Sequence, residues 1–275
     1  TSCGMNDKNR KRVVRRRLEE FASRTGFALG FFDELASTND EARDARYTNG
    51  AVVIAERQSR GRGQRGNSWS SAEGMNLTFS AVLCPAGLRA ESQFYLSKAV
   101  ALSVSDTVDS FGIESRIKWP NDIYVGDGKV AGILIENDLM GACVSRSIAG
   151  IGLNVNQTAF DPALPNPTSL ALQKGAVLDR AEVFERFYGF LTVRCRQLDG
   201  GDYGKLDEDY IARLYRFGER HPFVDGLTGE RFRGTIRDVL YGGELRVEKE
   251  TGEICDYLFK EIEYVHDRDG EVSAK

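Results

Sequence analysis

Residues 59–69 read Ser59-Arg60-Gly61-Arg62-Gly63-Gln64-Arg65-Gly66-Asn67-Ser68-Trp69, and Lys118-Trp119-Pro120-Asn121-Asp122 follows further along the chain. The glycines of the first segment let backbone amides approach a ligand closely, and its arginines present planar forks that grip phosphate or carboxylate through paired hydrogen bonds. This is the pattern of an anion-gripping loop. In the second segment a lysine precedes a Trp-Pro-Asn-Asp turn at a strand end, where it can present a fixed cation to a reaction. Fixed cations and oriented amides are what two negatively charged reactants need, because they offset the repulsion between them and the charge on the leaving group. Arg62, Arg65 and Lys118 are the natural suppliers.

Three more segments accompany this pair: Gly74-Met75-Asn76-Leu77, Lys129-Val130-Ala131-Gly132-Ile133-Leu134-Ile135-Glu136 and Gly150-Ile151-Gly152-Leu153-Asn154-Val155-Asn156. With them the chain resembles the biotin protein ligases, specifically over residues 37–156 and weakly beyond. The resemblance implies a two-step reaction, in which biotin and ATP give biotinyl-5'-adenylate and pyrophosphate, and biotin then passes to a lysine of a biotin carboxyl carrier protein domain. It implies an α+β fold, with a mixed sheet and helices of the class II synthetase and biotin ligase kind over residues 1–220 and a small SH3-like β-barrel over 221–275.

By the same resemblance Lys118 sits where the biotin carboxylate meets the adenylate phosphate, acting electrostatically together with Arg62 and Arg65. Ser37, Thr38, Asn39, Gln58, Gly61, Arg62, Lys118 and Gly132 take the biotin, with Gln58 at the ureido group. Arg62, Gln64, Arg65, Trp69, Asn121 and Asn154 take ATP or the adenylate. Magnesium arrives with ATP, for two histidines and unclustered Cys and Asp argue against a resident metal site. The family's loop carries arginine at the fourth place of Gly-Arg-Gly-Arg, where this chain has Gln64, so one cation is missing unless Arg65 fills its role.

Several of these residues have plainer readings. Lys118 on the strand pattern alone is a solvated lysine, and the arginine loop a mobile basic segment. Thr38 with Glu41 reads as a capping box opening a helix over 40–45. Trp69 serves equally as a core or flap anchor, and Asn154 as a turn asparagine. Gly132, Gly150 and Gly152 interrupt strand-like runs, where glycine weakens a strand unless a close backbone approach is needed, and so suggest ligand lying against the sheet. Lipoate ligation shares fold and adenylate chemistry and stays open as a rival, although Gln58 and the GRG-type loop favour biotin. A non-catalytic biotin-binding regulator would not need Lys118 and the arginines.

These groups need a scaffold. Residues 51–55 form an apolar run suited to a buried strand, and Leu77, Phe79, Ala81 and Leu83 alternate as a strand with one buried face, so the arginine loop joins two strands. Leu96, Val100, Val104, Val108 and Phe111 repeat at helical spacing and Gly112 supplies the stop. Ile113, Ser115, Ile117 and Trp119 share one strand face, leaving Lys118 on the polar one. Gly126-Asp127-Gly128 marks a hairpin between 123–125 and 130–135, with a further strand over 144–151. Asp179 and Glu182 open a helix, and after His221-Pro222 the pattern changes to short strands at 232–236, 244–248 and 257–262.

Thirty-seven Lys and Arg against forty-one Asp and Glu leave a formal charge of −4, so nothing global points to nucleic acid. The basic run at 8–17 reads as a solvated helix face lacking the second helix and core of a DNA-reading domain, and no sequence-specific DNA binding is expected. Five scattered cysteines favour a reducing compartment, and no apolar run reaches membrane-spanning length; a cytoplasmic enzyme without membrane partners is expected, with a homodimer left open.

Overall fold

The computed structural model describes residues 7–63 and 68–265. It begins with helix α1 (Asp7–Thr25), whose Leu18 and Ala22 lie one turn apart and are both buried. Gly26, at φ +85°, ends the helix in the left-handed conformation that glycine alone adopts without strain, and its amide donates to Ala22 O. Strand β1 (Leu29–Leu35), a single turn α2 (Thr38–Glu41), β2 (Val52–Gln58) and β3 (Leu77–Leu83) follow. Next come α3 (Phe94–Asp109), β4 (Arg116–Lys118), β5 (Asp122–Val125), β6 (Gly128–Met140) and β7 (Cys143–Leu153). The short α4 (Leu170–Lys174) leads into α5 (Arg180–Asp199) and α6 (Tyr203–Ala212).

The strands make a seven-stranded sheet in the order β1-β2-β3-β7-β6-β5-β4, with β1 parallel to β2 and all other pairs antiparallel. Helices α3 and α5 pack on one face, where Phe184 and Phe187 meet Phe79 edge-on at 5.3 and 4.9 Å. Asp179 caps α5 by accepting from Ala181 N, and Arg180 forms a buried two-pronged pair with Glu56 at 2.8 and 3.0 Å that ties α5 to β2.

On β3 the expected alternation is only half of the finding, for all seven residues are buried. Leu77, Phe79, Ala81 and Leu83 belong to the main core, whereas Val82 joins a smaller cluster with Ala42, Tyr47, Val53 and Ile148. Thr78 and Ser80 share that second face, which is therefore covered rather than solvated.

Strand register then aligns the site. Thr78 pairs with Gly152, Gly152 with Gly132, Gly132 with Asp122 and Asp122 with Lys118, one transverse row across β3, β7, β6, β5 and β4. Ser80, Gly150 and Leu134 form the next row. Because side chains alternate across a strand, both rows present one face of the sheet, and Ile133 and Ile151 point back into the core.

The C-terminal strands β8 (Arg220–Asp225), β9 (Arg231–Val239), β10 (Leu245–Lys249), β11 (Ile254–Tyr257) and β12 (Ile262–Tyr264) form a barrel-like antiparallel sheet in the order β11-β10-β9-β8-β12. Two expectations need correction. The stretch 257–262 is the end of one strand, a turn and the start of another, since Glu261 N returns to Leu258 O. Strand β8, which contains His221-Pro222, was not among the expected strands; Pro222 breaks the apolar pattern that would signal it.

Candidate active site

Both glycine rows floor a cavity of about 330 Å³, walled by α2, the ends of the arginine loop, the β4–β5 turn and β12. It brings together most of the residues that the sequence singles out: Ser37, Thr38, Asn39, Gln58, Arg62, Trp69, Lys118, Asn121 and Gly132. Gly61 lies beside it, where a Cβ would fall 2.3 Å from Trp69 O and 2.9 Å from Gln58 Nε2. Only a residue without a side chain lets the loop close here, with Trp69 N donating to Gly61 O at 2.9 Å. Gln64 and Arg65 lie outside the described residues.

At one end, Thr38, Asn39, Gln58 and Ser80 hold each other. Ser80 Oγ lies 2.7 Å from Thr38 Oγ1 and 2.6 Å from Asn39 Oδ1, fully buried. An amide oxygen only accepts, so the single serine proton goes to Asn39 and the Thr38 hydroxyl must supply the other bond. Asn39 Nδ2 donates onward to Glu136 Oε2 at 2.8 Å, and Thr38 N donates to Gln58 Oε1 at 2.7 Å. With its oxygen committed, Gln58 turns its NH2 end toward Gly61 beside the cavity. The capping-box reading fails: α2 starts at Thr38 with Ser37 as its cap, no side chain closes the cap, and the Thr38 hydroxyl meets Ser80 and Gln58 in the cavity wall instead.

The opposite end carries charge. Lys118 Nζ donates to Tyr124 Oη at 3.0 Å and lies over the rings of Tyr124 and Tyr264, 4.9 and 5.0 Å from their centroids. It is half-buried rather than solvated. Lys129 Nζ pairs with Asp122 at 2.9 Å and sits over the Trp69 indole. Arg62 sits at the first end, its Nη2 2.6 Å from Asp40 and 3.2 Å from Glu136, the carboxylate that also accepts from Asn39. Burial alone would raise the Glu136 carboxyl, but the Asn39 amide and the guanidiniums of Arg62 and Arg43 outweigh it and hold the group below the usual range.

The interrupting glycines are occupied from within. A Cβ on Gly150 would meet Asn39 Oδ1 at 2.3 Å, and one on Gly152 would meet the Trp69 ring at 2.1 Å. The flat rows admit two of the site's own side chains, which then face the cavity. Among the described residues Trp69 Nε1 is buried without a partner, as is Asn154 Oδ1, while Asn154 Nδ2 donates to Thr168 O. Asn154 does not line the cavity wall and lies on β7's exit beneath it. Asn121 is braced against β6 through Ile133 and lines the cavity.

Ser80, Thr78, Tyr124 and the strand β12 were not singled out. Thr78 and Ser80 left a signal, two polar residues at alternate positions of an otherwise apolar strand. Tyr264 left none, since nothing local to it tells of Lys118. Among the described residues no three His, Cys, Asp or Glu side chains converge to hold a metal, and no helix is long and apolar enough to cross a membrane.

Such a cleft can take a neutral, hydrogen-bonding head at one end and an anionic group at the other. Residues 31–154 match the biotin/lipoate A/B protein ligase family. The bifunctional ligase/repressor BirA of Bacillus subtilis is 37% identical over 69% of this chain and 70% of its own length. The biotin–[acetyl-CoA-carboxylase] ligase of Paracoccus denitrificans is 33% identical over 66% and 79%. The structure of a biotin protein ligase from Aquifex aeolicus in complex with biotin and ATP superposes with a TM-score of 0.73 at 26% identity, covering 86% of this chain and 99% of that one.

Proposed function

This chain belongs to the biotin/lipoate A/B protein ligase family as one of its biotin protein ligases, and from that premise we propose how its residues divide the reaction. Biotin and ATP are the substrates, with magnesium accompanying ATP. Biotin's ureido ring lies against Thr38, Asn39 and Gln58. Its oxygen accepts from the Gln58 NH2, the donor left to it once Gln58 Oε1 is committed to Thr38. The valeryl chain runs over the Asn39 and Trp69 side chains that cover the glycines, toward Lys118, whose ammonium holds the biotin carboxylate and the α-phosphate together. A carboxylate oxygen then bonds to the α-phosphorus as pyrophosphate departs. Arg62 exchanges Asp40 and Glu136 for the adenylate phosphate.

Trp69, which lines the cavity, supplies the nucleotide contact, and Asn154, buried off the cavity wall, supports the strand end behind it. In the second half-reaction the amine of a carrier-domain lysine attacks the acyl carbon and AMP leaves. The basic helix α1 is structural in this reading, because Arg17 pairs with Glu185 at 3.1 Å and Leu18 is fully buried, and we assign it no operator recognition.

The alignment of Lys118 with Thr78 in one cross-strand row carries the proposal, since it fixes a cation at a set distance from the ureido wall. Incubation with labelled ATP and biotin, followed by a biotin carboxyl carrier domain, should yield the adenylate and then labelled carrier. Equal labelling with lipoate in place of biotin would remove the assignment of the neutral wall.

A further inference from the structure

We propose that Tyr264, on the C-terminal sheet, is a positioning residue for adenylation, holding the Lys118 ammonium over its ring so that the barrel-like unit sets the place of the catalytic cation. Among the described residues Lys118 has no carboxylate within ion-pairing distance, in contrast to Lys129 and Arg62. What fixes it is aromatic: one hydrogen bond to Tyr124 Oη, with the Tyr124 and Tyr264 ring centroids at 4.9 and 5.0 Å. A cation over an aromatic face is held by the ring quadrupole without being neutralised, so its charge remains available to an incoming anion. A carboxylate partner would have to be displaced first.

Tyr264 is itself rigid. It pairs with Phe223 across β8 and β12, packs edge-on against that ring at 5.3 Å and lies 6.3 Å from Tyr215, which in turn meets Tyr124 at 5.1 Å. Its hydroxyl is buried without a hydrogen-bond partner among the described residues, and burial holds the phenol neutral by raising it well above its ordinary value. An unpartnered hydroxyl contributes no bond, which leaves the ring face as the part that acts. The Lys118 segment is fastened to the same unit one residue on, where Trp119 Nε1 donates to Gly243 O at 2.9 Å and the indole meets Phe259 edge-on. Lysine and clamp therefore move as one body.

The assignment rests on Lys118 meeting the anion, and a double-mutant cycle separates the two claims. Affinity for biotinyl-adenylate is measured by calorimetry on the full chain, so that turnover is not required. Tyr264→Leu should weaken binding about tenfold in the wild-type background and less than about twofold in Lys118→Ala, while Tyr264→Phe stays within about threefold of wild type. Equal losses in both backgrounds would mean general damage to the seam and overturn the proposal. So would no loss from Tyr264→Leu, or a Phe variant as weak as Leu, which would transfer the role to the hydroxyl. If Lys118→Ala alone binds as tightly as wild type, the lysine's own role falls, and Tyr264's with it.

Discussion

At the β2–β3 end of the cavity the polar groups are spent on one another, as Ser80, Thr38, Asn39 and Gln58 show with contacts of 2.7 Å (Ser80–Thr38), 2.6 Å (Ser80–Asn39) and 2.7 Å (Thr38–Gln58). At the β4–β6 end Lys118 and Lys129 stand apart, each resting on a side chain of the sheet, while Arg62 is held back on Asp40 and Glu136 beside Asn39. A neutral urea is recognised by donors and acceptors already aimed, because a dipole misplaced by an ångström is lost. A phosphate is recognised by charge, which tolerates movement, so its cations can be parked elsewhere until it comes. The first end is rigid by network and the second is poised.

The sharpest break of this contrast is at the charged end. Lys118→Ala should cut biotin-dependent pyrophosphate exchange by about 100-fold or more, the scale seen when one donor to a developing charge is removed, while biotin affinity changes little. Exchange within threefold of wild type would show that the cation is not where charge develops.

Ser80→Ala strikes the neutral end. Removing a buried hydroxyl strands the Asn39 oxygen, at a cost of about 1–3 kcal/mol, and should weaken biotin about tenfold with the KM for ATP unchanged. Calorimetry with each substrate decides, and a parallel loss of ATP affinity would mean that the two ends are not independent.

Asp40→Asn sharpens the idea of parked cations. It releases Arg62 from a partly exposed carboxylate, a pair of the kind contributing about 0.2–1 kcal/mol, and should tighten biotinyl-adenylate binding about two- to fivefold. Weaker binding would show that Asp40 orients Arg62 instead of restraining it.

The smallest effect is expected from pH. Glu136 sits below the ordinary glutamate value of 4.5, so the order it provides to Asn39 and Arg62 is complete above that value and is lost as pH falls through its lower folded value. Biotin affinity followed by calorimetry below about pH 5 should fall more steeply in the wild type than in Glu136→Gln. Parallel curves would remove Glu136 from the network's acid dependence.

Much of the site was legible because its chemistry is local. Gly61 next to Arg62, Lys118 before the Trp-Pro-Asn-Asp turn, and Gln58 at a strand end announce themselves by neighbours in the chain, and the cavity gathers Arg62, Lys118 and Gln58 with Gly61 beside it. The capping-box reading of Thr38 was equally local and failed, because the hydroxyl found a stronger claim in Ser80, far away in sequence on the strand against which α2 packs. Gly150 and Gly152 signalled a close approach, but only packing could say that Asn39 and Trp69 make it.

What the amino-acid sequence determined by itself is the set of reactive residue types, the alternation that makes the strands and the spacing that makes α3 and α5. These depend on neighbours a few positions apart. The tertiary structure decided the cross-strand row from Thr78 to Lys118, the parking of Arg62 on Asp40 and Glu136, and the placing of Tyr264 over a lysine on another sheet. Register between distant strands and the docking of one sheet on another are set by the whole core at once, and no short stretch of the chain carries that information.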